Sequence, residues 1–367
     1  MKDGVKDGVK VVRIGTRASP LARVQTDGIA SLLRGLYPDL VVEVCPISTT
    51  GDRSQHTDAP SADWGTGVFV KELEAALLRN EIDLAVHSLK DVPAELPAPL
   101  AIVAVPPRAD PRDVLISPSG ACLDTLPEAA LVGSTSARRV AFLRAARPDL
   151  RFASIRGNID TRCRKLFAGE YDAIVLARAG LARLELDVSY TLIDPHVLPP
   201  APGQGALALE ARADDARLRA LVQPLHDAST AAAVEAERAF MAALDGGCRL
   251  PLAALATSDA ALATPGVVRA SSDAALATPG VVRASSDAAL ATSAAALATA
   301  DAALATAGTG GGLTLIAAVA APDGSHILRA TERGELRAPA DLGHRVAARL
   351  RQAGALELLA RSLAFPA

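Results

Sequence analysis

The sequence predicts an α/β protein with more than one domain, and three features of its 367 residues lead to this class. Short apolar runs of strand length alternate with segments whose apolar residues recur at helical spacing. Proline-rich stretches at residues 106–111 and 199–202 divide the alternation into blocks. The length itself suggests about two or three domains. Such alternation favours parallel strands joined by crossover helices.

Composition excludes several classes of protein. Half of the residues are hydrophobic but only 3% are aromatic, so the cores must be built from Ala, Leu and Val. A net charge of −3 argues against a nucleic-acid-binding protein, and no long uncharged apolar run suggests a membrane span. The four cysteines have no metal-ligand spacing, and no signal-peptide core is found. We expect a cytoplasmic protein that binds no metal, nucleic acid or membrane.

The first block reads as β-α-β-α-β. Its strands and helices are predicted at residues 11–16, 20–35, 41–47, 69–79 and 82–86. Ser19 suits a helix N-cap, and Pro20 suits the first helical position. Residues 49–67 are rich in Thr, Ser, Asp and Gly and are predicted to form a mobile loop.

The second block repeats this alternation between the two proline-rich stretches. Its strands are predicted at residues 113–116, 131–133, 151–155 and 172–177, one helix opens at residues 134–136 and carries Arg138 and Arg139, and another is predicted at 158–167. Residues 204–210 then return as a strand to the first domain, which makes that domain discontinuous. The predicted domains are 11–106 with 203–224, 107–202, and 228–367.

The third block has a helix at 229–244, strands at 250–256, 313–320 and 327–333, and one final helix at 340–361. A 14-residue segment at 258–271 recurs unchanged at 272–285, and shortened copies continue to about residue 307. Identical repeats cannot supply the varied shapes of a packed core. We therefore predict that residues 258–312 are a flexible, disordered surface insertion in the third domain.

Arginines are the most informative polar residues. Most of a group of five lie where a predicted strand leads into a helix, and helix N-termini there also attract anions. The five are Arg17, Arg138, Arg139, Arg156 and Arg162. Guanidinium groups bind carboxylates and phosphates in a planar, two-pronged way. The pattern predicts a site between two α/β domains for a small molecule that carries several carboxylates or phosphates.

Two other groups could carry chemistry. Ser88, Lys90 and Asp91 follow a buried strand, at the edge where α/β sheets bind ligands. Cys248 follows a Gly-Gly pair at a helix exit, although a lone cysteine is more often a small buried hydrophobe. His87 is more often a packed, hydrogen-bonded residue than a catalyst.

Six blocks of sequence, in the same order, resemble the porphobilinogen deaminase family, whose members are also called hydroxymethylbilane synthases. The blocks are residues 13–22 (Arg-Ile-Gly-Thr-Arg-Ala-Ser-Pro-Leu-Ala), 69–74 (Phe-Val-Lys-Glu-Leu-Glu), 85–93 (Ala-Val-His-Ser-Leu-Lys-Asp-Val-Pro), 156–158 (Arg-Gly-Asn) followed by 161–162 (Thr-Arg), 202–206 (Pro-Gly-Gln-Gly-Ala) and 246–248 (Gly-Gly-Cys). Each block alone is weak, but the combination is specific.

The resemblance implies two periplasmic-binding-protein-like α/β domains and a smaller α+β C-terminal domain with a three-stranded antiparallel sheet. It implies a transferase of porphyrin (heme) biosynthesis that condenses four porphobilinogen molecules head to tail, releasing ammonia, to give hydroxymethylbilane. The growing pyrrole chain is attached to a dipyrromethane cofactor. A monomer without a metal is also implied.

The resemblance also assigns roles to residues. Asp91 matches the catalytic carboxylate, and Cys248 matches the cysteine that holds the cofactor by a thioether. The other matches to cofactor-binding positions are Lys90, Ser136, Arg138, Arg139 and Arg162. Substrate-binding positions are matched by Arg17, Gln25, Arg156 and Arg183.

Two alternatives fit parts of the pattern. A two-domain binding protein for a polycarboxylate small molecule would also place arginines in a cleft, but the missing export signal and the Cys248 segment count against it. An anion-sensing regulator would need a DNA-reading helix, and the sequence offers no resemblance to one.

Overall fold

A computed structural model describes residues 5–6, 9–50, 70–246, 250–259 and 311–364. Most of the predicted mobile loop, Cys248, and most of the repeat tract therefore lie outside the described residues. Within the described part, the strands form three separate sheets.

The described strands are numbered in chain order. They are β1 (Val5–Lys6), β2 (Val9–Arg17), β3 (Leu40–Ile47), β4 (Leu84–Ser88), β5 (Leu100–Ala104), β6 (Asp113–Ile116), β7 (Leu131–Gly133), β8 (Arg151–Ala153), β9 (Ala173–Ala177), β10 (Thr191–Leu192), β11 (Leu207–Arg212), β12 (Leu252–Ser258), β13 (Gly312–Ala320) and β14 (Ile327–Glu335).

The described α-helices are numbered in the same way. They are α1 (Pro20–Leu36), α2 (Lys71–Leu78), α3 (Ala137–Ala146), α4 (Ile159–Phe167), α5 (Arg178–Arg183), α6 (Ala216–Val222), α7 (Ala228–Ala243), α8 (Pro339–Gln352) and α9 (Ala355–Ala364). None of these helices combines the length and apolar character that crossing a membrane requires.

The first sheet has the strand order β1-β2-β4-β11-β5, with β3 paired to β2. β2 is parallel to β3 and to β4, as the alternation of strands and helices predicts. β11 comes after the strands of the second sheet in the chain, but it lies between β4 and β5 of the first sheet. This position confirms the predicted return strand. It runs antiparallel to both neighbours, so the prediction of an all-parallel sheet is wrong here. The chain re-enters this sheet at the edge where β4 ends, and it must therefore run back along β4.

The second sheet has the order β10-β6-β9-β7-β8. β7 is parallel to β8 and β9, whereas β6 is antiparallel to β9. It is therefore a mixed sheet as well. Its core packs Phe142 of α3, which is fully buried, against apolar strand residues such as Val132 and Val175.

The third sheet has the order β12-β13-β14 and is antiparallel throughout. Its core packs Phe240 of α7 and Val346 of α8 against strand residues such as Leu315. These three sheets confirm the predicted fold class of two α/β domains and a smaller α+β C-terminal domain. The predicted insertion at residues 258–312 is too long at both ends, because Ser258 belongs to β12 and Gly312 to β13.

The prediction of one final helix is wrong. The segment forms two helices, α8 and α9, and Gly354 lies between them with φ at +95°. A residue in the left-handed region cannot continue a right-handed helix, and glycine adopts that region without a steric cost.

The three domains meet at Glu237 of α7, whose carboxylate is fully buried. One oxygen accepts from Arg108 Nη1 at 2.6 Å and from the Ala256 amide at 2.8 Å, while the other accepts from the Gly203 amide at 2.6 Å. Arg108 lies on the segment that leads into the second domain, Gly203 on the segment that returns from it, and Ala256 on β12 of the third. One carboxylate therefore joins all three.

Candidate active site

A cleft opens where β2 and β4 end. The cleft is lined by Arg17, Ser19, Leu21, Ala22, Gln25, Val70, Val86, His87, Ser88, Lys90 and Asp91. Four of the predicted site residues, Arg17, Gln25, Lys90 and Asp91, therefore come together here. Their positions follow from the two parallel strands, whose carboxyl ends share one edge of the sheet.

Local hydrogen bonds fix the floor of the cleft. The Ser19 hydroxyl caps α1 by accepting from the Ala22 amide at 3.4 Å, as predicted. One turn further, the buried Gln25 donates from Nε2 to Ser88 Oγ at 3.0 Å. This bond connects α1 to the end of β4, directly before Lys90 and Asp91.

Lys90 and Asp91 lie on a single 3-10 turn, Leu89–Asp91. The turn is held at its start, where the Leu89 amide donates to the carbonyl of Ala206 at 3.0 Å. Lys90 Nζ donates to Gln204 Oε1 over a long 3.5 Å. Both charged side chains are half-buried at the wall of the cleft.

A buried ionic cluster lies beside Lys90. Asp113, which is fully buried, accepts from Arg139 Nη2 at 2.8 Å and forms an ion pair with Arg138 Nη2 at 2.7 Å. Gln204 Nε2 donates to the same carboxylate at 3.1 Å. Although burial opposes it, the pull of Arg138 and Arg139 lowers the pKa of Asp113.

Positive charge exceeds negative charge around this cluster. Burial lowers the pKa of Lys90, the nearby Arg139 and Arg138 lower it further, and Asp91 and Asp113 oppose them. Burial also lowers the pKa of Arg138. Among the described residues, two carboxylates, those of Asp91 and Asp113, thus lie among three cations, and this excess favours an anionic ligand.

Two further predicted arginines, Arg162 and Arg183, are half-buried. Arg162 donates to the carbonyl of Gly157 at 2.8 Å, and Arg183 donates to that of Gly205 at 2.7 Å. Burial lowers the pKa of each to about 10. Among the described residues neither guanidinium has a carboxylate partner, although desolvated guanidiniums are stabilised by one.

The remaining predicted residues have mixed surroundings. Ser136 is the N-cap of α3, and its hydroxyl accepts from the Arg139 amide at 3.4 Å. Arg156 is half-buried and precedes α4, where the arginine pattern places it. Cys248 lies outside the described residues. His87 lines the cleft, but its Nε2 lies 2.8 Å from Oε2 of the buried Glu210, which supports its interpretation as a structural residue.

Asp113 and Gln204 make contacts that the sequence does not predict. The sequence indicates Asp113 only as the start of a strand, and Gln204 only as part of a Pro-Gly-Gln-Gly-Ala block. Gln204 also donates to the carbonyl of Pro111 at 2.6 Å, so it connects Lys90 with the entry to β6. An acidic residue at the start of an otherwise apolar strand is a signal that could have indicated a buried ion pair.

Two family models match the chain. The model described as "Porphobilinogen deaminase, dipyromethane cofactor binding domain" matches residues 12–220, and that described as "Porphobilinogen deaminase, C-terminal domain" matches residues 231–273. The chain belongs to the porphobilinogen deaminase family. This membership confirms the predicted family, the transferase activity in porphyrin biosynthesis and the dipyrromethane cofactor, and it outweighs the binding-protein alternative.

Curated porphobilinogen deaminases resemble the chain over most of their length. That of Syntrophotalea carbinolica is 51% identical over 250 residues, which are 67% of this chain and 78% of the relative. That of Brevibacillus brevis is 49% identical over 246 residues, which are 67% of this chain and 79% of the relative.

Two solved structures with a similar fold are a domain named VFT2 and a binding protein named SsuA. A VFT2 domain of Bordetella pertussis BvgS has a TM-score of 0.34 at 17% identity, covering 57% of this chain and 84% of that one. The alkanesulfonate-binding protein SsuA from Xanthomonas axonopodis pv. citri has a TM-score of 0.33 at 17% identity, covering 63% and 73%.

The described residues fit the cofactor of porphobilinogen deaminases. Each pyrrole ring of dipyrromethane carries an acetate and a propionate, so the ligand brings four carboxylates. The excess of cations around Asp113 matches that requirement, as do the two half-buried guanidiniums that have no carboxylate partner in the described part of the chain. The chemistry of the donor set is thus that of a polycarboxylate site.

Proposed function

We propose that Asp91 is the catalytic carboxylate with which this enzyme condenses four porphobilinogen molecules head to tail, releases ammonia and forms hydroxymethylbilane. One observation carries the proposal: Asp91 lies on the turn that follows the buried strand β4, lines the cleft, and adjoins Lys90, whose charge interacts with those of Arg138 and Arg139. In this position a carboxylate can exchange protons with a substrate whose own carboxylates are held by those cations.

Asp91 would act at three points of each cycle. It gives a proton to the amine of porphobilinogen, which makes ammonia a good leaving group. Its negative charge then stabilises the azafulvene cation that remains. After the new carbon–carbon bond has formed, Asp91 takes up the proton that is released and is ready for the next substrate.

Other residues would bind and orient. When bound, dipyrromethane supplies the pyrrole carbon at which the chain grows. Cys248 would hold it by a thioether, and its carboxylates would be bound by Lys90, Ser136, Arg138, Arg139 and Arg162. The carboxylates of the incoming substrate would be bound by Arg17, Gln25, Arg156 and Arg183. Arg17 and Gln25 line the cleft beside Asp91, which supports a substrate-binding role for them.

The proposal extends to the organisation of the chain. The domain limits are 11–106 with 203–224, 107–202, and 228–367, which agree with the membership of the three sheets. We further propose that the enzyme is a cytoplasmic monomer that binds no nucleic acid or membrane, an expectation that rests on its composition and on the family.

The mass of the intact protein tests the attachment site. We expect the purified enzyme to carry an adduct of two pyrrole units, and we expect Cys248→Ser to lack both the adduct and turnover. Cys122→Ser is a matched control, because Cys122 is half-buried and lies away from the cleft, where its thiol forms a hydrogen bond with the Thr125 hydroxyl. An active enzyme without an adduct would refute the proposal.

A further inference from the structure

The backbone that follows Asp91 is bound by one half-buried arginine of the third domain. Arg238 of α7 donates from Nη2 to the carbonyls of Pro93 and Ala94, at 2.7 and 2.8 Å, and from Nη1 to that of Val92 at 3.2 Å. These three residues come directly after Asp91 in the chain. A single side chain therefore holds three consecutive carbonyls at the exit of the 3-10 turn.

A guanidinium is suited to this arrangement. It presents five N–H donors in one rigid plane, so it can satisfy several carbonyls without changing its conformation. Burial lowers the pKa of Arg238, and the nearby Glu210 carboxylate partly offsets that effect. Arg238 does not line the cleft, and its hydrogen bonds are to backbone carbonyls.

The same turn is packed from its other side. Gly203 has φ at +73°, and a Cβ atom there would clash with Leu89 Cδ2 and lie 3.2 Å from the Lys90 amide nitrogen. The Gly203 amide donates to Glu237, which precedes Arg238 on α7. Glu237 and Arg238 are consecutive residues of α7. Glu237 binds Gly203, which packs against the Lys90–Asp91 turn, and Arg238 binds residues 92–94, which follow that turn.

We propose that Arg238 is a positioning residue for Asp91: it fixes the turn on α7, so that the carboxylate faces the cleft in one orientation. This inference rests on the proposed function of Asp91. Proton transfer needs heavy atoms about 3 Å apart, so a freely moving turn would spend less time in the reactive geometry. Carboxylate binding depends on other residues and would not change.

The test compares Arg238→Met and Arg238→Lys with the same substitutions at Arg212. Arg212 is a matched control, because it also donates to two backbone carbonyls, those of Leu77 and Ile82, at 2.8 and 3.1 Å. These carbonyls precede β4, at the end of that strand away from the cleft. Steady-state turnover of porphobilinogen, intact mass and the thermal unfolding midpoint are measured for every variant.

We expect kcat of Arg238→Met to fall by about tenfold or more while KM stays within about twofold, since misplacement by 1 Å can cost about a hundredfold. Arg238→Lys keeps the charge but not the fork, so its kcat should be intermediate. The Arg212 variants should lower the midpoint and leave kcat unchanged. If Arg238→Met does not fold, the kcat of Arg238→Lys provides the measurement. We then expect a crystal structure of the lysine variant to show Asp91 in more than one orientation.

The experiment distinguishes a wrong positioning role for Arg238 from a wrong catalytic role for Asp91. If Asp91→Asn loses turnover but the Arg238 variants lower kcat no more than the Arg212 variants do, the positioning role is wrong and the proposed function stands. If Asp91→Asn retains turnover, the proposed function itself is wrong. An equal rise in KM and fall in kcat would also overturn the inference, because it would indicate loss of binding.

Discussion

Replacing Asp113 by asparagine should lower the free energy of unfolding by about 3–5 kcal/mol, the usual cost of removing one partner from a buried ion pair. Asparagine preserves the shape of the side chain but removes its charge. Arg138 and Arg139, which are 4% and 7% exposed, would then be left without that counter-charge. The amide would also offer Arg139 a weaker acceptor and turn a donor toward one of the guanidiniums.

Urea denaturation at pH 7, followed by circular dichroism, measures this loss as a shift of the midpoint at constant slope. The control is Glu81→Gln, which breaks the exposed pair with Arg79 and should leave the midpoint unchanged.

Acid titration gives a second measurement. The pKa of Asp113 is lowered in the folded protein, so its stabilising effect is complete above the unfolded-state pKa of about 3.9 and is lost as the pH falls toward the folded-state value. The difference between wild type and variant should therefore shrink below about pH 4. A loss of less than about 1 kcal/mol at pH 7 would refute the reasoning, because it would mean that the guanidiniums find other counter-charges.

Two further predictions concern the turn and the insertion. Asp91→Asn should lose at least about a hundredfold in turnover but keep the cofactor adduct and the unfolding midpoint, whereas the exposed Glu95→Gln should match wild type; near-normal turnover would contradict the proton-transfer role. Replacing residues 260–310 by Asn-Gly should leave activity intact. Because it shortens the loop that is closed when Ser258 pairs with Leu313, it should also stabilise the third domain by about 2 kcal/mol, measured by thermal unfolding. A collapse of folding would show that the tract is structural.

Local signals in the sequence predicted most of the elements. Ser19 and Ser136 cap the helices that follow them, as short polar residues before apolar periodicity should. The predicted return strand also pairs where it was expected. These features depend on residues that are close together in the chain, which is why the sequence reveals them.

The rest depends on contacts between distant segments. Gln204 and Asp113 are separated by 91 positions, and no local pattern shows that their side chains meet. The direction of β11 is likewise fixed by its route back from the second domain. The arginine pattern predicted a cleft rich in cations, but it could not show that Arg138 and Arg139 also pair with Asp113. Their role toward the cofactor stays a prediction.

The contacts of Glu237 have a consequence for how the protein melts. Separate domains usually unfold in separate steps, and each step then has its own calorimetric enthalpy. Here the segments that join the first two domains and a strand of the third share one desolvated carboxylate. Unfolding any one domain would leave the Glu237 carboxylate, or the Arg108 guanidinium, without its hydrogen-bond partners in the other domains. Three structural domains should therefore behave as one cooperative unit, with equal calorimetric and van't Hoff enthalpies.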